Sequence, residues 1–374
     1  MGRQMDEALL RDQIEIAADA GWQIALRQVP ARWAVALLEG EDQTPIQLLC
    51  LRNLRRGLSH RIQEQGARKV DWKQIVRRVR WQRVGSAFEA DWIYLSAVRR
   101  FFPQSWSDLV NWGEAQFVHV DVAAQHPHYV RTSDVSRRCG IRIGPFPQRA
   151  AANQFIELIC DAFDLCRYPH ILEQSPHGKA CAYKEMGKCP APCDGSISME
   201  SYRAVVDSSV NALIDPAARV AEQRSRMEQA AAEMRYETAA AIKGDMEKWK
   251  QLGKGAFAFA RPIEKLAFVT VQPAVPPALR SIYLVRPGSV RRVACLLAEP
   301  ANVDDLMEVI GVLMQEKEEP ADPAILSLLA RHLFAGKRAE GVWIAAGERN
   351  SALLQEAVKI TPPSVAVSEE VERQ

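Results

Sequence analysis

No stretch of this chain is hydrophobic for long enough to cross a lipid bilayer. Its 374 residues contain no apolar run near the ~20 residues that a membrane-spanning helix requires. The N-terminus carries acidic residues early and has no apolar segment, which is not the pattern of a secretory signal peptide. We therefore expect a cytoplasmic protein in a reducing compartment, where disulfide bonds are rare.

The chain also has little net charge, so it is not a polycation that binds nucleic acids through its total charge. It contains 48 lysines and arginines against 46 aspartates and glutamates, a formal net charge of +2. The composition is 48% hydrophobic and 25% charged, which is typical of a globular protein, and the length allows two or three domains. Any basic binding surface has to be local.

Cysteine is sparse everywhere except in one short segment. Four of the eight cysteines lie between positions 166 and 193, where proline, glycine, lysine and histidine are frequent. That composition is typical of a loop, so chance core cysteines are a poor explanation, and a disulfide staple needs an oxidising compartment. The cluster therefore predicts a metal site. Its four candidate ligands are Cys166, Cys181, Cys189 and Cys193.

The end of the cysteine segment is stiff. Between Cys189 and Cys193 stand two prolines, which lack an N–H and restrict the residue before them, so this stretch is not helical. Nearby lysines favour the thiolate form of the cysteines. Four thiolates suit structural zinc or an iron–sulfur cluster, and the spacing alone leaves the choice between the two metals open.

A second local signal is an excess of basic residues between positions 52 and 100. Thirteen lysines and arginines stand there against four acids, a net charge of +9. This density predicts a surface for nucleic-acid phosphates, with an ordinary solvated face as the alternative. Trp72, Trp81 and Trp92 lie among these residues and are predicted mainly as core side chains, with base stacking as the alternative. The candidate DNA-binding residues are Arg52, Arg55, Arg56, Arg77, Arg78, Arg80 and Arg83.

Hydrophobic periodicity predicts an α+β protein. Residues 1–30 are predicted as one helix and a turn, and the runs WAVALL and IQLLCL as a β-hairpin. Helices are predicted from Asn53 to about Gln65 and from about Asp71 to Val79. A further helix is predicted to end at Pro103, because proline does not continue a helix.

The second half of the chain alternates helical and strand-like patterns. Residues 215–252 predict two antiparallel helices that are joined near Arg235, with the pair Asp215-Pro216 as a helix start. Three strand-like runs, two helices near 303–317 and 323–335, and the strand VWIAA follow. The polar tail after position 360 is predicted to be disordered.

The cysteine segment resembles that of a known family. From Cys181 to Tyr202 it is similar to the cysteine-rich segment of the UvrC family of ABC excinucleases, whose members make the incisions in bacterial nucleotide excision repair. The matching positions are Cys181, Cys189, Pro192, Cys193, Gly195, Ile197, Ser198 and Tyr202. The resemblance implies a 4Fe-4S cluster at the four cysteines, with zinc as the alternative metal.

The N-terminal region resembles the GIY-YIG nuclease domain of the same family, with LRNLRRGLSHRI and FEADWIYLSAVRRFFP as the anchors. Phosphodiester hydrolysis needs an activated water, a metal held by a carboxylate and a cation for the developing charge. The resemblance therefore implies a nuclease fold without its chemistry, and no catalytic residue is assigned. The family's catalytic positions fall on Ala36, Gln47, Cys50, Gly57 and Tyr94, none of which keeps the family's residue type.

The helical pair at 215–252 resembles the UVR motif, through Met227-Glu228, Tyr236-Glu237 and Ala239-Ala240, whereas Lys243-Gly244 departs from it. In the family this hairpin packs on the matching hairpin of the damage-loading helicase UvrB. The resemblance thus implies a UvrB-like partner. The candidate partner-binding residues are Met227, Met234, Tyr236, Ile242 and Met246.

The expected protein is UvrC-like, binds DNA, and is inactive as a nuclease. One alternative is an active metal-dependent endonuclease that uses Glu89 or Asp91, and another is a redox or metal sensor. No acidic constellation that would indicate the family's second nuclease domain is visible in the last hundred residues. The predicted division is a degenerate GIY-YIG-like domain at 1–105, a linker and cysteine-rich metal-binding region at 106–214, the hairpin at 215–252, and an α/β segment at 262–360.

Overall fold

Three antiparallel four-stranded sheets and the helices around them make an α+β protein, as the sequence predicts at that level. The structure is a computed structural model. It describes residues 9–17, 21–63, 71–136, 139–252, 254–297, 303–347 and 351–362. The chain divides into two compact units. The first unit comprises Met1–Trp112, Ala267–Glu318 and Ala335–Gln374, and the second comprises Gly113–Leu266 and Glu319–Phe334.

The N-terminal part of the first unit is built on a sheet with the strand order β1-β4-β2-β3. Both faces of β2 are covered, so its residues form a continuous apolar run rather than an alternating one. Its elements are β1 (Asp12–Glu15), α1 (Gly21–Gln28), β2 (Ala34–Glu39), β3 (Pro45–Leu51), α2 (Leu54–Gln63), α3 (Trp72–Ile75), β4 (Arg78–Arg83), α4 (Ala87–Phe101) and α5 (Trp106–Leu109).

The predicted β-hairpin forms, with Ala34 opposite Leu51 in the β2–β3 register. Two other expectations in this region are wrong. The helix predicted to reach Val79 ends after one turn, because the alternating burial of the following residues suits strand β4. Asp12–Glu15, predicted as helical, is a strand, because it pairs antiparallel with β4.

The long helix α4 begins at a side-chain cap. The hydroxyl of Ser86 accepts a hydrogen bond from the N–H of Glu89 at 3.1 Å, which satisfies one of the donors that a helix start leaves open. Ala90, Ile93 and Ala97 of α4 pack into a hydrophobic cluster with β2 and β3. The helix is therefore held to one face of the sheet, and its residues have fixed neighbours.

The second unit contains the middle of the chain. Its sheet has the strand order β6-β5-β7-β8, and Phe146, Phe155 and Phe257 pack ring against ring in its core. The elements are β5 (Gln116–Val120), β6 (Val130–Thr132), β7 (Ile141–Phe146), α6 (Arg149–Phe163), α7 (Pro169–Leu172), α8 (Ala182–Glu185), α9 (Met199–Ile214), α10 (Pro216–Ala232), α11 (Tyr236–Gln251) and β8 (Arg261–Pro262).

The last part of the chain forms the third sheet, with the strand order β11-β10-β9-β12. The strands and helices predicted here are present, whereas α14 was not predicted. The elements are β9 (Phe268–Pro273), β10 (Leu279–Arg286), β11 (Ser289–Leu297), α12 (Asp304–Gln315), α13 (Pro323–Leu333), β12 (Val342–Ala345) and α14 (Ser351–Ile360). The tail that was predicted to be disordered lies, from position 363 onward, outside the described residues. Across the described helices, none is long and apolar enough for a bilayer span.

Gly85, in the turn between β4 and α4, touches the connection between β9 and β10. A methyl group at Gly85 would stand 2.5 Å from the Cα of Ala274 and 2.6 Å from the carbonyl oxygen of Pro273. Neither backbone atom is able to move aside as a flexible side chain would. The close approach therefore requires glycine at this position.

We expect Gly85→Ala to lower the free energy of unfolding by about 1–3 kcal/mol, the usual cost of overpacking. Gly244→Ala is the matched control, because Gly244 lies in α11 with no atom within 4 Å of an added methyl group. That change should stabilise the protein by about 0.5–1 kcal/mol through helix propensity. Thermal unfolding measures both variants, and a Gly85→Ala protein as stable as the wild type contradicts the assigned contact.

Candidate functional site

The cysteine loop begins where α6 ends. Asp164, which follows the helix, adopts the left-handed conformation with a φ of 51°, and Cys166 comes two residues later. The backbone N–H of Cys166 donates to the hydroxyl of Tyr202 at 3.0 Å. Tyr202 is fully buried on α9. The start of the loop is therefore attached to a helix that follows the loop in sequence.

The turn from Cys189 to Cys193 is held by backbone hydrogen bonds. The N–H of Gly178 donates to the carbonyl of Cys193 at 2.8 Å, and the Ser175 hydroxyl donates to the carbonyl of Pro192 at 2.6 Å. Ala191 between the two prolines has a φ of 56°, which costs energy for a residue with a side chain. These hydrogen bonds hold the turn in place, in a stretch where the prolines prevent the hydrogen bonds of an α-helix.

Pairwise interactions connect the four predicted cysteines. Cys166, Cys189 and Cys193 are buried, and Cys181 is half-buried. The thiol of Cys166 donates a hydrogen bond to the sulfur of Cys189, and Cys193 interacts electrostatically with Cys189 and Cys181. These interactions link thiols that are distant in the sequence, from Cys166 to Cys193.

The thiolate form is favoured at Cys189. The hydrogen bond from the Cys166 thiol lowers the pKa of Cys189 to about 6, against the opposing effect of burial, and the Ala191 N–H and the Arg167 charge act in the same direction. The same hydrogen bond and burial raise the pKa of Cys166. A thiolate is the form of cysteine that binds a metal, so the donor set fits a soft metal or an iron–sulfur cluster. Within the described part of the chain, however, no three potential ligands already form a metal-binding group.

The first cluster of predicted DNA-binding arginines contacts its own unit. The guanidinium of Arg55 donates to the carbonyls of Val29 at 2.9 Å and Arg27 at 3.1 Å. Arg52 lies over the ring of Trp33 at 3.4 Å. Arg56 is exposed on α2. Arg52 and Arg55 are thus already held by neighbours.

The second cluster surrounds a buried carboxylate. Glu39 on β2 is 2% exposed and lies 3.8 Å from Arg78 and 3.6 Å from Arg80. Arg77 lies 3.7 Å from Glu41. Part of the positive charge counted in the sequence is therefore neutralised in the fold.

Arg83 differs from the other members of the second cluster. It stands at the end of β4, where its side chain is exposed. It forms no ion pair with any carboxylate in the described ranges. Its charge is therefore available at the surface.

The positions that correspond to the family's nuclease residues come together in part. The indole N–H of Trp33 donates to the sulfur of Cys50 at 3.4 Å. Cys50 on β3 and Tyr94 on α4 are neighbours, since burial and the nearby Cys50 raise the pKa of Tyr94. Ala36 is buried in β2. No carboxylate stands at Tyr94, where the resemblance puts the metal ligand.

Glu89, one of the two alternative metal ligands, is engaged by protein groups. Its carboxylate is buried, accepts hydrogen bonds from the Gly85 N–H at 2.8 Å and the Tyr283 hydroxyl at 3.0 Å, and lies 3.9 Å from Arg292. Burial raises the pKa of Glu89. Asp91 interacts with Cys50 instead, so the two carboxylates of α4 do not form a pair.

Tyr283 and Arg292 were not among the candidate residues. They belong to β10 and β11, and Tyr283 is 194 residues from Glu89 in sequence. No local pattern links a strand near the end of the chain to a helix near its start. The one available signal was a polar side chain within a hydrophobic run, which indicates that the side chain needs a hydrogen-bond partner but not which one.

The candidate partner-binding residues are distributed between the surface and the interior of the helical pair α10 and α11. Met234 and Tyr236, at the connection between the helices, are 76% and 67% exposed. Met227 and Ile242 are half-buried, and Met246 is buried. The end of the pair near Arg235 is therefore the part where large apolar side chains are exposed.

Comparison with known proteins identifies the middle of the chain. Residues 117–212, from β5 to α9 and including all four clustered cysteines, match the family described as "UvrC/Cho excinuclease, middle domain". This part of the fold, with its cysteine loop, is thus a domain of the UvrC/Cho excinuclease type. No solved structure matches the chain at a significant level.

Whole-chain comparisons agree with the domain match. UvrABC system protein C of Syntrophotalea carbinolica is 25% identical over 226 residues, which cover 59% of this chain and 37% of that protein. The protein of the same name from Streptomyces griseus is 23% identical over 331 residues, which cover 85% of this chain and 46% of that protein. The chain is therefore similar to UvrC proteins, most clearly in its middle domain, and it spans less than half the length of these relatives.

The environment of Glu89 predicts a pH dependence of stability. Because burial raises its pKa above 4.5 in the folded protein, the neutral carboxyl is favoured there. Stability relative to a permanently neutral residue is present below the unfolded pKa and is lost as the pH rises through the raised pKa. We expect the unfolding free energy of the wild type minus that of Glu89→Gln to fall as the pH rises above the ordinary pKa of a glutamate.

Denaturant unfolding at several pH values measures this difference, and Glu247→Gln serves as the control. The hydrogen bond from Lys250 lowers the pKa of Glu247, so the corresponding difference should fall in the other direction, as the pH decreases. A difference for Glu89→Gln that stays constant or increases with pH contradicts the environment assigned to this carboxylate.

Proposed function

We propose that this chain is a UvrC-like protein of nucleotide excision repair that binds DNA without cutting it at its GIY-YIG-like positions. The match of residues 117–212 to the UvrC/Cho middle domain carries the proposal. The residue types at Ala36, Gln47, Gly57 and Tyr94 support the inactive nuclease, because they supply neither a metal-binding carboxylate nor a cation. Glu89 and Asp91 have different neighbours, Tyr283 and Cys50, and this also supports the absence of a metal site formed by the two carboxylates.

The four clustered cysteines would hold a metal centre, for which a 4Fe-4S cluster is our proposal and zinc the alternative. Neighbouring buried thiols and a favoured thiolate at Cys189 support it. The group would supply a cross-link among parts of the loop that otherwise meet through hydrogen bonds, and metal binding of this kind contributes directly to folding. Cys166 would provide the end of that cross-link nearest to α6.

The proposed partners are DNA and a UvrB-like helicase. The net charge of +9 between positions 52 and 100 supports DNA binding, although contacts such as Arg78 with Glu15 at 3.0 Å neutralise part of it. The exposed Met234 and Tyr236 support a partner at the end of the helical pair, because exposed large apolar side chains mark contact sites. A partner helix in this position would bury both side chains.

The metal centre has a direct spectroscopic test. We expect protein purified without oxygen to show the broad visible absorption of an iron–sulfur cluster, and Cys189→Ser to lose it together with thermal stability, because one ligand is removed. Cys139→Ser is the matched control, since Cys139 is exposed and outside the cluster. Colourless protein with one bound zinc ion assigns the alternative metal, and protein without any metal contradicts the site.

Incubation with damaged and nicked duplex DNA tests the inactive nuclease. We expect binding that weakens steeply with salt, as phosphate contacts require, and no cleavage with Mg²⁺ or Mn²⁺. Gel electrophoresis of labelled strands detects cutting, and anisotropy measures binding. Metal-dependent cleavage that disappears in Glu89→Ala would establish the active-nuclease alternative instead. Wild-type protein that binds no DNA at any salt concentration contradicts the proposed DNA-binding function.

A further inference from the structure

A cleft of about 480 Å³ lies within the first unit, beside α4. Its volume falls in the range of about 300–1,000 Å³ that is usual for small-ligand sites. The walls come from β1, β4, α4, the connection after β9, and strands β10 and β11. The lining side chains used below are Arg11, Arg83, Arg292, Trp81, Trp92 and Tyr283.

The cleft lies on a different side of α4 from the nuclease-like positions. Glu89, Trp92, Ile93 and Ser96 line it, and their spacing of three, four and seven residues puts them on one stripe of the helix. Tyr94 belongs to another stripe, which approaches Cys50 on β3. The cleft is thus on a different stripe of α4 from Tyr94, whereas Trp81 in its wall is the cross-strand partner of Ala36.

The charged groups of the cleft favour an anion. Three arginines line it against two acids, Asp12 and Glu89. Glu89 is only 4% exposed, and its oxygens face the Gly85 N–H and the Tyr283 hydroxyl, so its carboxylate is turned into the protein. Arg83 and Arg292 are exposed, and guanidinium groups are the side chains best suited to bind a phosphate. A metal cation would be repelled by the same groups.

Aromatic rings form the other part of the wall. Trp81 and Tyr283 are buried, whereas Trp92 is half-buried and so has ring surface left for a ligand. Stacking on an aromatic side chain binds any nucleobase, because every base has a π-face. A planar ring beside two exposed guanidinium groups is a combination that fits a base joined to a phosphate.

We propose that this cleft binds one nucleotide unit, with its base against Trp92 and its phosphate at Arg83 and Arg292. The same chemistry has two sources, a residue within single-stranded DNA or a free mononucleotide. The first source rests on the proposed DNA-binding function, and the second does not. Such a cleft would bind one unpaired nucleotide through its base and its phosphate, whereas a surface that is only basic contacts phosphates without holding a base.

Anisotropy of a short labelled oligothymidylate and calorimetry with free dTMP test the two sources. We expect Trp92→Leu to weaken binding of the oligonucleotide about tenfold, as loss of one base stack does. Arg83→Gln and Arg292→Gln should each reduce the slope of log affinity against log salt by about 0.7, the effect of one phosphate contact on a single strand. Circular dichroism and thermal unfolding check that each variant is folded.

Arg291→Gln is the matched control. Arg291 is the neighbour of Arg292 on β11, does not line the cleft, and pairs with Glu316 at 2.5 Å. Removing its charge should leave both the affinity and the salt slope unchanged. Equal effects of Arg292→Gln and Arg291→Gln overturn the inference, because they indicate general charge rather than a site.

Four outcomes distinguish the cleft from the proposed function. Oligonucleotide binding that depends on Trp92 and Arg83 supports both proposals. Binding of dTMP alone, with the same dependence, supports the cleft and counts against the DNA-binding function. Oligonucleotide binding that is indifferent to Trp92, Arg83 and Arg292 keeps the DNA-binding function and overturns the cleft. If neither the oligonucleotide nor dTMP binds, the proposed nucleotide site is overturned as well.

Discussion

The buried carboxylate of Glu89 is the constraint on which the first unit depends most. A carboxyl group away from water is costly to bury unless it has hydrogen-bond partners, and here they come from the Gly85 backbone and Tyr283 on β10, with Arg292 on β11 nearby. The start of α4 is therefore tied to the third sheet through one side chain. The same contacts shape the wall of the cleft beside Trp92. Structure and candidate binding site depend on a single buried carboxyl group.

In the second unit, the segment that needs contacts to hold it in place is the cysteine loop. Four cysteines lie in a loop that has few apolar side chains of its own, and the loop is attached through Cys166 to the buried Tyr202. A loop of this kind has little hydrophobic area to bury, so hydrogen bonds and, as we propose, a metal centre have to supply its order. The UvrC/Cho middle-domain match covers this region. The sequence similarity to a known domain and the cysteine cluster therefore fall in the same part of the chain.

Charge counted along the sequence differs from charge in the fold. The excess between positions 52 and 100 suggested a broad basic surface, yet Arg78 and Arg80 flank the buried Glu39, and Arg55 serves the backbone of Val29. Glu39 precedes the counted region, so a window confined to it misses the neutralising partner. Arg83 keeps an exposed guanidinium in the described ranges and lines the cleft. An excess of basic residues in a segment therefore indicates which region could contact DNA, but not which of its side chains are exposed to do so.

The sequence by itself determined the features that arise from neighbours along the chain. The β2–β3 hairpin and the helices α4, α12 and α13 follow from periodicity, turn residues and proline, whose effects extend over a few residues. Only the tertiary structure decided that Asp12–Glu15 is a strand, because its partner β4 lies far along the chain. It also decided which donors meet Glu89, since Tyr283 is 194 residues away and a buried polar group has to find its partners among the residues that are close in space.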